Sequence, residues 1–336
     1  MEGFSPQLAV VTHCGGGELE EKLVVRTTTE TIIGYMYSKW VKSWRDLPIL
    51  IVQWGSVMRW EIRTKLFLRT AEFYWHEGHT AHADSDEALE EMYRILDIYE
   101  KFCLEEAAIP VFKGPKSESE RFPGAQITTS IEAMMWDKRA LQSGTSHYFG
   151  TNFAKAFDIK YLNKDNELQF AETTSWAISS RIIGAMIMVH GDDQGLVLPP
   201  RLAPIQAVVV PIFKNDAEKT KVMEVADRVF TELKAAGIRI KMDDRDNVSS
   251  GFKFNDWEMR GVPVRVEIGP KDVEKGSVAL ARRDKPGREG KTFVSQSGLP
   301  ATVSLLLSEI QASLLKRATE YRDANIHEPK DYEDLK

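Results

Sequence analysis

Charged and aromatic side chains alternate along residues 54–80, whose sequence is WGSVMRWEIRTKLFLRTAEFYWHEGHT. We predict two antiparallel strands joined by a loop, the second running from Phe67 to Gly78. Because side chains alternate between the faces of a strand, the odd-numbered residues share one face. That face carries Arg59, Glu61, Arg63, Lys65, Arg69, Phe73, Trp75, Glu77 and His79. Such a face suits a polyanion with a flat base, such as ATP, beside a small cationic amine. The alternative is an amphipathic hairpin with a solvated charged face.

Three further segments carry polar side chains that could line the same site: RTTTET at 26–31, QSGTSH at 142–147 and TSWAISSR at 174–181. With Arg59-Trp60-Glu61 they stand in the order typical of prolyl-tRNA synthetases. The sequence resembles that family of class II aminoacyl-tRNA synthetases over almost its whole length. The segment around Arg59 resembles the second class II motif, and Arg181 resembles the arginine of the third.

The spacing of apolar residues changes near the proline-rich segment at 198–204. Before it, we predict helices at 29–44, 85–107 and 182–190, and strands at 49–54, 122–136, 153–162 and 168–180 with a hairpin turn at 163–166. After it, we predict strands at 205–213, 238–242 and 264–268 and a helix at 217–236. This alternation of strand and helix indicates a parallel sheet wrapped by helices.

The fold class implied by the resemblance is α/β (α+β), and the chain is expected to contain three parts. It implies a class II catalytic domain with an antiparallel sheet at 1–200, an anticodon-binding domain with a mainly parallel sheet at 201–300, and a helical extension at 301–336. The activity implied is ATP-dependent activation of proline to prolyl-adenylate, followed by transfer to tRNA(Pro). A truncated relative that binds tRNA without aminoacylating it is the alternative.

For ATP, the resemblance implies two catalytic arginines. Arg59 would hold the α-phosphate beside the attacking carboxylate and Arg181 the γ-phosphate, since a planar guanidinium binds phosphate bidentately and stays charged. Phe73 would stack on adenine, and Glu61 would accept a hydrogen bond from its amino group. The full expected ATP-binding set is Arg59, Glu61, Arg69, Phe73, Gln142, Thr145 and Arg181. Mg²⁺ is expected to bridge the phosphates and to be held mostly by ATP.

For proline and tRNA, the resemblance implies two further sets of residues. The expected proline-binding residues are Thr28, Glu30, Phe73, Trp75, Glu77, His79, His147 and Ser175. Thr28 and Glu30 would take the ammonium, and an aromatic wall would add a cation–π attraction of about 0.5–2 kcal/mol. The expected anticodon contacts are Glu258, Arg265 and Lys271, because Glu accepts from base amino groups while Arg or Lys reaches guanine or phosphate.

Composition limits the classes that fit. The formal net charge of −6 over 336 residues excludes a globally basic nucleic-acid binder, so a tRNA contact requires a local patch. The run RRDKPGREGK at 282–291 is one candidate, and a solvated basic loop is the alternative. Cys14 and Cys103 lie far apart and form no metal-ligand pattern, so we expect no protein-bound metal and a reducing cytoplasm. No apolar run is long enough to suggest a membrane span, and we expect no membrane partner.

The sequence departs from the family pattern at three positions. Thr27 stands where the family has proline, Ser143 where it has glycine, and Ala177 where it has another glycine. We expect the methyl group of Ala177 to crowd the proline pocket. The strand and helix of the first class II motif, through which the family forms homodimers, are missing from this sequence. We therefore expect this chain to be a monomer or an ill-defined aggregate, because its catalytic sheet has an unpaired edge.

Overall fold

Residues 7–285 and 287–335 are described by a computed structural model of the chain. They fall into two units. The first comprises residues up to 102 together with 111–185, and the second comprises 103–110 together with the chain from 186 onward. The first six residues of the predicted catalytic domain lie outside the described residues, as does Pro286 in the predicted basic run.

An antiparallel sheet forms the centre of the first unit. The strands up to residue 180 are β1 (Val10–Cys14), β2 (Gly17–Val24), β3 (Ile49–Met58), β4 (Glu72–His82), β5 (Val111–Pro115), β6 (Ile127–Met134), β7 (Ala140–Gly150), β8 (Lys160–Leu162), β9 (Leu168–Phe170) and β10 (Glu172–Ser179). Six of them make one sheet in the order β3-β4-β10-β7-β6-β5. The pairs β1–β2 and β8–β9 are separate hairpins. Strand β10 pairs with both β4 and β7, so it brings the chain near residue 175 between two halves of the predicted site.

Four helices accompany these strands: α1 (Glu30–Trp40), α2 (Ser85–Glu105), α3 (Asn152–Phe157) and α4 (Arg181–His190). Helix α2 begins at the predicted cap, where Asp84 Oδ1 accepts from the backbone nitrogens of Asp86 at 2.9 Å and Glu87 at 3.1 Å. Cys103 is fully buried on α2, which confirms its predicted place in the core. Helix α1 ends at Trp40, four residues before the predicted end.

Three strand predictions were wrong in detail. The strand predicted at 122–136 covers only Ile127–Met134. The segment 153–162 begins as helix α3, because Phe153 and Phe157 meet edge-to-face one helical turn apart, with ring centroids 6.1 Å apart, while Phe153 stacks on Phe149 of β7 at 4.3 Å. The strand predicted from Phe67 starts only at Glu72. Before it, the backbones of Lys65 and Arg69 bond to each other in both directions and close a tight loop. The predicted hairpin turn at 163–166 is present between β8 and β9.

The second unit contains a five-stranded sheet with helices on both faces. Its strands are β11 (Ala207–Pro211), β12 (Ile240–Met242), β13 (Val264–Ile268), β14 (Ser277–Arg282) and β15 (Lys291–Ser295), in the order β12-β11-β13-β14-β15. Its helices are α5 (Asp216–Ala235), α6 (Ser250–Met259), α7 (Pro270–Lys275), α8 (Leu299–Ala324) and α9 (Tyr332–Leu335). The sheet is mixed: β11 pairs in parallel with β12 and β13, whereas β14 is antiparallel to β13 and β15.

The two faces of this sheet pack in separate apolar clusters. On one face, Val266 and Leu280 join a buried core with Val229 of α5 and Val303 of α8. On the other, Val208 of β11 packs in a smaller cluster with Trp257 of α6. Within the described residues, no helix combines the length and apolarity needed to cross a lipid bilayer.

Candidate active site

Most of the side chains predicted for ATP and proline meet in one cavity of the first unit. It measures about 300 Å³, and the predicted residues that line it are Thr28, Glu30, Arg59, Phe73, Trp75, Glu77, Gln142, Thr145, His147, Ser175 and Arg181. A neighbouring depression of about 260 Å³ shares Arg59, Phe73 and Arg181 with it and adds Glu61 and Arg69. A hairpin with a merely solvated charged face would not enclose such a cavity.

Cations are concentrated where the two depressions meet. Burial lowers the pKa of Arg59; Glu30 raises this pKa, Arg181 lowers it, and Glu77 raises it. Burial also lowers the pKa of Arg181, and the positive charge of Arg69 lowers it further. Each arginine therefore experiences repulsion from the next one. An anion placed among the three would relieve this repulsion, which is the arrangement expected of a phosphate site.

Backbone carbonyls fix Arg59 and Arg181, which are both half-buried. Arg59 donates from Nε to the carbonyl oxygen of Thr27 at 3.0 Å. Its guanidinium carbon lies 5.3 Å from the ring centroid of Phe73 and 5.6 Å from that of Trp75, within the range of cation–π attraction. Arg181, the first residue of α4, donates from Nε to the carbonyl of Leu68 at 3.0 Å. These bonds orient both guanidinium planes before any ligand arrives.

A carboxylate stands at the end of the cavity formed by the start of α1. Glu30 is buried, and its Oε1 accepts a hydrogen bond from Ser175 Oγ at 3.2 Å. Its other oxygen accepts from the Thr28 hydroxyl. All three residues line the cavity. The arrangement offers oxygen acceptors to a cationic amine, and binding of the ammonium by Thr28 and Glu30 stays a prediction.

Glu77 provides a second buried carboxylate, opposite Gln53 in the register of β3 and β4. Burial raises its pKa, but hydrogen bonds from His79, Thr29 and Gln53 outweigh that effect and leave the pKa below its ordinary value. His79 Nε2 lies 3.2 Å from Glu77 Oε2. His79 itself is buried and lines neither depression, so it supports Glu77 from behind.

His147 closes another side of the cavity. Burial, together with the charges of Lys116 and His79, lowers the pKa of His147 to about 3, so the imidazole is neutral at physiological pH. Its Nδ1 lies 3.0 Å from Thr128 Oγ1. The Phe122 ring packs on it with centroids 4.7 Å apart. A neutral ring of this kind forms a wall without adding charge.

Sequence reasoning missed several residues of the cavity. Lys116 donates from Nζ to Gln142 Oε1 at 2.6 Å and adds a cation to the lining. Phe122 lies in the loop before β6, where the sequence predicted a strand. Residues of irregular loops have no periodicity to reveal them. Gln53 does not line the cavity but donates to Glu77, and strand parity could have revealed it because it is directly opposite Glu77.

The three positions that depart from the family pattern all lie near this site. Ala177 sits in β10 between its partners Glu77 and Thr145 and lines the cavity. Ser143 also lines the cavity and donates to the carbonyl of Leu141 at 3.1 Å. Thr27 is fully buried, and its hydroxyl finds no hydrogen-bond partner among the described residues.

In the second unit, two of the predicted anticodon contacts lie together. Arg265 Nη1 bonds Glu258 Oε1 at 2.9 Å, and Arg265 Nε bonds Glu267 Oε1 at 2.9 Å. Lys291 Nζ then bonds Glu267 Oε2 at 2.5 Å. These four residues form a continuous ionic chain, which we call the anticodon-face chain. Lys271 lies exposed in the first turn of α7.

The predicted basic run divides into paired and exposed residues. Arg283 is buried and bonds both oxygens of Asp192, at 2.6 Å and 2.8 Å. Arg282 pairs with Asp284 in the same bidentate manner. Lys285 and Arg288 are exposed in the turn that leads into β15. The run is therefore partly structural and partly available to an external anion.

Two family models match this chain, one in the sequence before the proline-rich segment and one after it. The family model described as "tRNA synthetase class II core domain (G, H, P, S and T)" matches residues 14–190. The model described as "Anticodon binding domain" matches residues 206–296.

Individual relatives match over the full chain. A proline–tRNA ligase of Roseiflexus castenholzii is 59% identical over 100% of this chain and 70% of its own length. A chloroplastic/mitochondrial proline–tRNA ligase of Arabidopsis thaliana is 53% identical over 100% of this chain and 62% of its own length. A crystal structure of prolyl-tRNA synthetase from Cryptosporidium parvum, complexed with halofuginone and AMPPNP, superposes with a TM-score of 0.94. It is 42% identical, over 99% of this chain and 68% of that one.

Proposed function

This chain belongs to the prolyl-tRNA synthetase family of class II aminoacyl-tRNA synthetases, and from that premise we propose how its residues carry out proline–tRNA ligation. The observation that carries the proposal is the convergence of Arg59 and Arg181 with the buried carboxylates Glu30 and Glu77 in one cavity. The comparisons give no support to a relative that binds tRNA without aminoacylating it.

In the first step the carboxylate of proline attacks the α-phosphate of ATP, and pyrophosphate leaves. We assign Arg59 to the α-phosphate and Arg181 to the γ-phosphate, since their fixed guanidiniums can neutralise charge that grows on phosphate oxygens. Arg69 extends the cationic surface along the phosphate tail. Phe73, held edge-on to Trp75 at 5.6 Å, offers a face to adenine. Gln142, Thr145 and Glu61 complete the proposed nucleotide contacts.

The buried carboxylates indicate which end of the cavity would bind proline. We assign the ammonium to Glu30 and Thr28, with Ser175 holding the carboxylate of Glu30 in place. Trp75, Phe73 and His147 form walls against the apolar ring, and Glu77 with His79 behind it supports this region. A substrate aligned in this way reacts without a covalent enzyme intermediate, because proximity and charge stabilisation supply the catalysis.

We propose that Mg²⁺ enters the site bound to the phosphates of ATP. Among residues 7–285 and 287–335, no group of three or more His, Cys, Asp or Glu side chains could hold a metal ion by itself. The phosphates would therefore supply most of its ligands, with water. When bound, the ion shields phosphate charge; the arginines of this chain orient the same phosphates.

We assign recognition of tRNA(Pro) to the second unit, through Glu258, Arg265 and Lys271. The domain limits of 1–200, 201–300 and 301–336, a cytoplasmic location and the family's homodimer remain predictions. Sedimentation of the purified chain measures its assembly.

Aminoacylation with labelled proline tests the whole proposal. We expect acid-stable label on a tRNA(Pro) transcript and much less on a transcript with a substituted anticodon. Arg265→Ala should lower charging of tRNA(Pro) by about 1–3 kcal/mol in kcat/KM while leaving pyrophosphate exchange unchanged. Equal charging of both transcripts by the parent chain would contradict the assignment of the second unit.

A further inference from the structure

One face of the sheet in the second unit carries both the anticodon-face chain and an exposed aromatic ring. In β13, Arg265 and Glu267 pair with Ala281 and Ala279 of β14. Those alanines pair in turn with Lys291 and Phe293 of β15. Directly paired residues project from the same face of a sheet. The ring of Phe293 therefore stands on the same face as the predicted anticodon contact Arg265.

Two alanines of β14 lie between them. Ala279 is buried and Ala281 is half-buried, and a small cavity of about 10 Å³ is lined in part by Glu258, Arg265 and Ala281. Phe293 stands at the edge strand with 68% of its surface exposed. The neighbouring Val294 points the other way and packs against the core. Phe293 is thus not required to fill the interior.

Cationic side chains lie beside the Phe293 ring and in the turn before its strand. Lys291 Nζ, at one end of the anticodon-face chain, lies 5.8 Å from the Phe293 ring centroid. The turn that enters β15 presents the exposed cations Lys285 and Arg288. Strands are about 4.8 Å apart, so Phe293 lies about 10 Å across the sheet from Glu267. A ring at that distance can reach a base next to one held at Arg265.

We propose that Phe293 stacks on an unpaired base of the tRNA anticodon loop, beside the base held by Glu258 and Arg265. The proposal rests on the anticodon role assigned above to this unit. Unpaired bases in RNA loops are commonly bound on aromatic side chains. Every base has a π face, so this contact adds affinity without selecting the identity of the base.

The test is tRNA(Pro) binding by the full chain at several salt concentrations. Phe293→Ala should weaken binding about fivefold to 150-fold, the range for losing one stacked base. Phe293→Trp keeps a π face and should bind within about threefold of the parent. Leu305→Ala removes a similarly exposed apolar side chain, 63% exposed on α8, and should change nothing. Proline-dependent pyrophosphate exchange should be the same in all of these proteins.

Salt dependence separates stacking from phosphate binding. The slope of log K against log salt should be unchanged in Phe293→Ala, whereas loss of a phosphate contact reduces it by about one. If Phe293→Ala binds like the parent while Arg265→Ala is weakened, the stacking proposal is wrong and the anticodon assignment stands. If neither variant is weakened, the anticodon assignment itself fails. A Phe293→Trp protein as weak as Phe293→Ala would also overturn the proposal.

Discussion

Arg59 donates a hydrogen bond from Nε to the carbonyl oxygen of Thr27, across 3.0 Å. Thr27 immediately precedes Thr28 and lies three residues before Glu30, so the bond joins the group assigned to phosphate to the segment assigned to the ammonium. The two reactants would then be held by one rigid piece of structure. With these proposed assignments, the linkage would align the carboxylate of proline with the α-phosphate without a covalent intermediate.

Replacing Arg59 tests the phosphate assignment. Arg59→Ala should lower the rate of proline-dependent pyrophosphate exchange by about 10²–10³-fold, because one such contact to developing charge is worth about 2.7–4 kcal/mol. Arg59→Lys keeps the charge but loses the planar fork, so an intermediate rate is expected. The matched control is Arg139→Ala, whose side chain is 75% exposed. If Arg59→Ala is as active as this control, Arg59 has no role in the mechanism.

Glu30→Gln should separate the two substrates. A hydrogen bond to a charged group contributes about 1.5–3 kcal/mol, so the KM for proline should rise about tenfold to 150-fold. The KM for ATP should stay near that of the parent. Glu90→Gln, at a carboxylate 71% exposed on α2, is the control. Parallel increases in both KM values would show that Glu30 holds the site together and does not bind the ammonium.

Ala177→Gly tests whether the methyl group in β10 crowds proline. Relief of overpacking is worth about 1–3 kcal/mol, so the KM for proline should fall about fivefold to 150-fold. Glycine within a strand costs about 0.5–1 kcal/mol of stability, and Ala140→Gly at the exposed start of β7 measures that cost separately. An unchanged KM would mean that the methyl group is harmless.

Acid should destabilise the first unit through His147. Its pKa is about 3 in the folded protein, against about 6.5 in an unfolded chain. Between these values the unfolded chain binds a proton that the folded protein does not, so stability falls as pH falls. From about pH 8 to about pH 5 the loss is about 2 kcal/mol. His147→Gln should lose less stability over this interval than the parent or than the exposed control His13→Gln, as measured by urea unfolding. Equal losses would contradict a buried neutral imidazole.

Strongly periodic segments were predictable from sequence. The apolar run at 207–211 and the helix at 216–235 were located to within a few residues, because continuous burial and a heptad-like stripe leave a clear pattern. Helix α3 was not predicted, since Phe153 and Phe157 carry the β-propensity of aromatic residues. The stacking of Phe153 on Phe149 and its edge contact with Phe157 override that propensity.

The site was predictable where it lies on strands and hidden where it lies on loops. Parity along β4 predicts that Phe73, Trp75 and Glu77 share one face, and all three side chains line the cavity. Lys116 and Phe122 belong to a segment whose conformation depends on contacts such as that of Phe122 with His147. The roles of the individual arginines came from family resemblance, because spacing alone does not distinguish a phosphate ligand from a surface charge.

The most direct test of the account is pyrophosphate exchange by the purified, folded chain, with and without proline. We predict exchange that requires both ATP and proline, saturates with proline, and is lost in Arg59→Ala but retained in Arg139→Ala. A chain that is folded by circular dichroism and by cooperative unfolding, yet shows no proline-dependent exchange above background, would contradict the central claim that this cavity activates proline.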